Sequence, residues 1–267
     1  MLPSARLAFK ELLVVGDSSE ITGRWSGPTF GADAPMAPQF CTKSQSPCLM
    51  KTSLNFLLPV ISLILTANGH AATFDVTSTA GSGPGTLAQA VADANASVGA
   101  DTILFAPAIA GQTITLTSAI TVTSGIITIN GETNSVGMVL DAALTVRHFN
   151  VDAGAELNLY GLNLTRGQDT SGAGSVENSG YFTATRCSFY GNNGSYGGAV
   201  ATYGANAKME FTHCTFQGNQ ASQDGGALHI SESDVKITHC TITGNTAFSD
   251  GGGVNAAGKL ALMGSII

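Results

Sequence analysis

Asp224 and Asp250 each stand one residue before a glycine pair, Gly225-Gly226 and Gly251-Gly252. On neighbouring turns of a repeating fold their carboxylates would stack about 5 Å apart. That spacing suits a shared proton, a Ca²⁺ ion or the acid/base pair of a glycoside hydrolase. An Asp-Gly turn accounts for the same residues without chemistry, and Tyr196 occupies the position one repeat earlier. His213 and His239 precede Cys214 and Cys240, as Arg186 precedes Cys187. A His-Cys pair suggests zinc ligation, but neighbours in a strand point to opposite faces and cannot share one ion. His148 and His229 have no repeated partner and receive no role. A polysaccharide lyase would need a cage of acidic residues for Ca²⁺ beside a basic group. Arg147, Arg166, Arg186, Lys208, Lys236 and Lys259 fall at unequal repeat positions, with no visible cluster. No residue is therefore assigned a catalytic, cofactor-binding or metal-binding role, and no cofactor is expected.

The elements that would position these residues follow from a repeat. RCSFYGNN begins at Arg186, HCTFQGNQ at His213 and HCTITGNT at His239, with a weaker copy from Gly161 and a broken one from Gly264. GGAV, GGAL and GGGV recur between them, from Gly197, Gly225 and Gly251. A period near 25 residues means a solenoid. Within each unit the pairs Phe182/Ala184, Met209/Phe211 and Val235/Ile237 enclose Thr183, Glu210 and Lys236. This is the two-residue alternation of a strand with one buried face. Leu157/Leu159 and Leu260/Leu262 repeat it in the outer copies. No unit has room for a crossover helix, so equivalent strands must stack on one another, giving a parallel β-helix of six to eight coils. Three columns follow: Cys187, Cys214 and Cys240 inside; Phe189 on Phe216; and Asn192, Asn219 and Asn245 at a corner that left-handed Asn would suit. Stacked cysteines lie within disulfide reach, yet in-register side chains point the same way, so buried thiols are expected.

The chain has 267 residues, 11 Lys+Arg against 18 Asp+Glu, 33 Gly, 43% hydrophobic and 11% charged residues. Low charge excludes disorder by self-repulsion, and the glycines have no G-X-Y period. Scattered cations on an acidic chain make nucleic acid an unsuitable partner. Met50 opens a secretory leader, with Lys51, an apolar run from Leu54 to Leu65 too short to span a bilayer, and a small-residue end for which cleavage after Ala71 fits best. Residues 1–49 read as an upstream extension without a fold, 50–71 as signal peptide, 72–100 as an N-terminal cap and 101–267 as β-helix, incomplete at its C-terminus. In the cap, Leu87, Ala90, Val91 and Ala94 mark one helical face, and Thr86 with Gln89 has capping-box spacing. Strands are expected around Thr102–Phe105, Ile114–Leu116, Ile120–Val122 and Ile126–Ile129.

The GGAV, GGAL and GGGV motifs alternate with Phe189-Tyr-Gly-Asn192, Phe216-Gln-Gly-Asn219 and Ile242-Thr-Gly-Asn245. They resemble the GGA[ILV] and FxxN repeats of polymorphic outer-membrane proteins, the third copy departing at Gly253 and Ile242. The opening VTSTAGSGPGTLAQAVADANASVGADTILF is similar to the N-terminal cap of exported bacterial right-handed parallel β-helix proteins. The resemblance implies that fold and an exported location, at the outer membrane or cell surface or secreted. It also implies an adhesin-like or stalk role, with a surface component or glycan of a host or neighbouring cell as partner. The alternatives are a carbohydrate-active enzyme, lyase or glycoside hydrolase, of the pectate-lyase-like fold, and a matrix component self-associating through the C-terminal coil.

Overall fold

The computed structural model describes residues 70–132 and 137–267. The upstream stretch and the leader, apart from His70 and Ala71, lie outside the described residues. From Thr73 the chain winds as a parallel β-helix of about seven coils. An eight-stranded sheet runs from Thr73–Val76 to Lys259–Met263, and two six-stranded sheets contain the strands Ser188–Tyr190 and Val200–Thr202. These are here the first, second and third sheets. The short strands Asn193–Gly194, Gln220–Ala221 and Thr246–Ala247 form a fourth.

The register is the one expected of stacked repeats. Phe182 pairs with Met209 and Ala184 with Phe211, then Met209 with Val235 and Phe211 with Ile237. All six side chains are buried, whereas Thr183 and Glu210 between them stand half-exposed and Lys236 exposed. Inside, Phe189 and Phe216 stack with ring centroids 4.7 Å apart and planes 3° apart, and Phe211 meets Phe216 edge-on at 5.1 Å. Cys187, Cys214 and Cys240 form a buried column of free thiols. In the C-terminal rung Leu260 packs against the core while Leu262 is about half exposed.

The asparagine column forms as expected. The Asn192 amide donates to the Asn219 side-chain oxygen at 2.9 Å, and Asn219 to Asn245 at 2.9 Å. The same amides also donate to Leu164 O and Phe189 O, and the backbone N–H of Asn192 donates to Asn219. Buried amides are tolerated because these contacts satisfy both their donors and their acceptors. The expected left-handed asparagines are, however, absent. The positive φ falls on the preceding residues, Gly191, Gly218 and Gly244, at 62–64°. The amides are engaged across coils instead of in local turns, so the bend passes to a residue without a side chain to strain.

A second corner, before the cysteines, places Arg186, His213 and His239 at φ 52–53°. Each costs roughly 1 kcal/mol relative to an ordinary backbone. At the third corner the GG motif has a steric cause. Gly197, Gly225 and Gly251 adopt φ 68–70°, and a β-carbon on Gly198 or Gly226 would strike the carbonyl oxygen of the equivalent glycine in the next coil.

The first coil is covered by helix α1 (Leu87–Ala96), with Leu87, Ala90, Val91 and Ala94 buried. The Gln89 N–H donates to the Thr86 side-chain oxygen, but the Gln89 side chain turns to Asp93, so only half of the capping box closes. Asn95 pins the helix to the third sheet, donating to Thr121 O at 2.8 Å and accepting from Thr123 N at 2.9 Å. The segment before α1 also contributes a rung: Thr73–Val76 pairs in parallel with Ala100–Phe105. Four residues with only Val76 fully buried give too weak an alternation to reveal it in sequence. The four expected strands occur at Ala100–Phe105, Thr113–Thr115, Ile120–Val122 and Ile126–Asn130.

Shortening the aromatic column should be costly: Phe216→Ala is expected to destabilise by about 3–5 kcal/mol. Lys236→Ala on the outer face should stay within about 0.5 kcal/mol. Urea denaturation of both variants checks this, and equal midpoints would contradict the assignment of faces.

Candidate functional site

An outer face of a β-helix is built by columns, so an opening arises where one column loses its side chains. The corner leading into the second sheet carries, coil by coil, Gly137, Gly161, Arg186, His213 and His239. The two glycines leave a depression of 460 Å³ lined by Glu132, Gly137, Gly161, Asn163 and Arg186. A β-carbon on Gly161 would collide with Glu132 Cγ, so glycine there makes the slot through which Glu132 crosses a coil. Its carboxylate accepts Arg186 Nε–H at 2.5 Å and Nη2–H at 2.6 Å. The Arg186 guanidinium holds the Glu132 carboxyl below the usual carboxylate range. Asn163 and Tyr190 are exposed on the adjoining strands. At the other end of this sheet Arg166 pairs with Asp141, which also accepts the Ala143 N–H at 2.8 Å. Hydrogen bonds from Arg166 keep Asp141 ionised to lower pH than usual.

The third sheet gathers a second set. Arg147 is almost buried and binds Asp169 at 2.7 Å, Glu177, and Asn150 at 3.2 Å. Burial works against both charges of the Arg147–Asp169 pair. Even so, Arg147 together with the N–H groups of Ser171 and Gly172 draws Asp169 down to about 2. Four of the dispersed cations, Arg147, Arg166, Arg186 and Lys259, meet carboxylates. Lys259 meets Asp234 within the repeat register, whereas the partners of Arg147, Arg166 and Arg186 lie 22 to 54 residues away at positions outside it, so aligning the repeats does not show them. The clue for the Arg186 pair was the glycine standing where later coils have histidine.

The two histidines that sequence left without a role also have definite places. His148 is fully buried, its Nε2 2.9 Å from Leu140 O and its Nδ1 3.0 Å from the Ser175 hydroxyl, and burial lowers its pKa to about 4. His229 packs against Tyr196 and Tyr203, with ring centroids at 5.1 and 6.0 Å, and burial lowers its pKa as well.

Asp224 and Asp250 are neighbours, as expected, and the contact between them is structural. The Asp224 carboxylate accepts the backbone N–H of Asp250 at 3.1 Å. His213 and His239 stack outside at 5.2 Å while Cys214 and Cys240 point inward, so no imidazole–thiolate pair forms. Hydrogen bonding with the neighbouring thiol, together with burial, pushes Cys214 up to about 12 and Cys240 higher still. Among the described residues no group of three or more His, Cys, Asp or Glu could hold a metal ion.

Residues 145–265 match the family model described as a right handed beta helix region, and the coils have that hand. No curated protein matches the chain. The match covers the regular repeats from just before Arg147 onward; it carries the fold and leaves function open.

The buried His148 predicts a pH dependence. Unfolded, it takes up a proton near 6.5, whereas in the folded protein it stays neutral down to about 4. The unfolded chain therefore binds more protons between those values, and stability should fall as pH drops through that window, by on the order of 3 kcal/mol. Urea midpoints of the wild type should decline between pH 7 and 4.5, and less steeply in His148→Gln. Identical slopes would show that another group governs the loss.

Proposed function

We propose that the protein is a non-catalytic, exported β-helix, displayed at the cell surface or secreted, that serves as a stalk and binding passenger. The observation that carries this reading is the engagement of its charged groups. Glu132, Asp141 and Asp169 are all made stronger acids by arginine partners. A glycosidase needs one carboxyl with a raised pKa, about 5–9.5 Å from a second. Asp224 and Asp250 instead lie on a partly exposed corner, one bonded to the backbone of the other. Export is supported by the leader-like sequence from Met50 and by the resemblance of the repeats to surface-displayed proteins. No helix among the described residues is long and apolar enough to cross a membrane.

The alternative, a carbohydrate-active enzyme, would draw on Arg147, Asp169 and Glu177, where, among the described residues, two carboxylates flank a base. There the guanidinium is occupied by both carboxylates, which leaves no free base.

The purified protein should release neither reducing ends nor unsaturated products from neutral or acidic polysaccharides, with or without Ca²⁺. Turnover abolished by Asp169→Asn or Asp224→Asn would overturn the reading in favour of the enzyme. On expression from Met50 in a bacterial host, the product should be recovered outside the cytoplasm with Ala72 as its first residue. Retention in the cytoplasm would remove the exported part of the proposal.

A further inference from the structure

We infer that the depression between Glu132, Asn163 and Arg186 is a binding subsite for a neutral, hydroxyl-rich saccharide, with Tyr190 as the platform for an adjoining sugar ring. This rests on the reading of the protein as a binding β-helix and gives that reading a ligand class and a place.

The chemistry of the lining selects the ligand. A carboxylate, a guanidinium and a primary amide are planar groups that present acceptors and donors side by side. Adjacent sugar hydroxyls need that alternation, since each both donates and accepts. Glu132 and Arg186 already neutralise each other, and Asn163 is uncharged. An anion would have to displace Glu132 from the guanidinium, and a cation would have to displace Arg186 from the carboxylate. An apolar ligand would have to desolvate the ion pair without replacing its hydrogen bonds with water. A neutral polyol disturbs none of these contacts.

Geometry supplies the remaining support. Gly137 and Gly161 add no side chains of their own; the Glu132 side chain crosses over Gly161 and the Asn163 amide lies over Gly137, so polar groups form the floor. Asn163 is exposed, and its amide makes no hydrogen bond among the described residues. Asn163 pairs with Ser188 and Thr165 with Tyr190, which puts Asn163 and Tyr190 on one face of the second sheet, one coil apart. Tyr190 is 55% exposed, and its Cε2 reaches toward Gly218 of the next coil. An exposed aromatic face with a polar edge is the apolar half of a sugar site. The two residues stand on adjacent coils, about 5 Å apart along the axis, and the Tyr190 ring extends toward the coil beyond, so the fitting ligand is an oligosaccharide lying across the coils.

Calorimetric titration of the full chain would use neutral hexasaccharides of glucose, xylose and N-acetylglucosamine, with an oligogalacturonate of equal length as the charged arm, at low and high salt. At least one neutral oligosaccharide should bind with little salt dependence. Asn163→Ala and Tyr190→Ala should each weaken it by roughly tenfold with unchanged melting, and Lys236→Ala should bind as the wild type. The inference is overturned if no neutral oligosaccharide binds, if both variants keep full affinity, or if only the oligogalacturonate binds and salt abolishes it. Binding unaffected by both variants would sink this site and leave the binding-protein reading standing. Turnover of a bound oligosaccharide would sink that reading and leave the site.

Discussion

In a parallel rung every residue sits about 5 Å from its own counterpart in the next coil, and the rest of this structure follows from that spacing. A side chain that cannot tolerate a copy of itself as neighbour has no place in a regular column. Phenylalanine tolerates it by stacking, asparagine by passing an amide hydrogen bond along, and cysteine by being small and apolar. The GG corner obeys the same spacing in backbone form, because the carbonyl of one coil occupies the volume a side chain would need in the next.

Like charges stack only poorly: Asp224 and Asp250 do so at one exposed corner, where one carboxylate accepts the backbone N–H of the other, and most charges are handled differently. On the first sheet, Lys208, Asp234 and Lys259 alternate in sign along one column, and Glu210 lies against Lys236 in the next. Elsewhere the ion pairs step out of the columns: Glu132 crosses a coil to reach Arg186, and the loop carrying Asp169 folds back onto Arg147. Buried single polar groups follow the same logic. His148 stays neutral because burial keeps an imidazolium from water, and a backbone carbonyl and a serine hydroxyl serve the neutral ring's nitrogens.

What could be read from sequence divides along this line. The interior columns were legible, because Cys187, Cys214 and Cys240 or Phe189 and Phe216 announce their contacts by occurring at the repeat period. The cap helix was legible from Thr86 and the face Leu87, Ala90, Val91, Ala94, a purely local pattern. The Glu132–Arg186 and Arg147–Asp169–Glu177 contacts were illegible, since each depends on a loop length or a missing side chain in an irregular coil. The left-handed corners were half legible. Position was clear, but sequence could not tell which of Gly218 and Asn219 bends until the cross-coil demand on the amide was known.

The asparagine ladder and the sheets share an orientation: their hydrogen bonds point from coil to coil. A pull applied along that direction is therefore borne by a whole circumference of bonds at once, first, second and third sheet together with the amide. Sideways shear meets interlocked aromatic rings in the interior. Under load the coils act as stacked washers glued face to face, stiff until one entire joint gives way, whereas peeling from a free strand would meet the same bonds one after another.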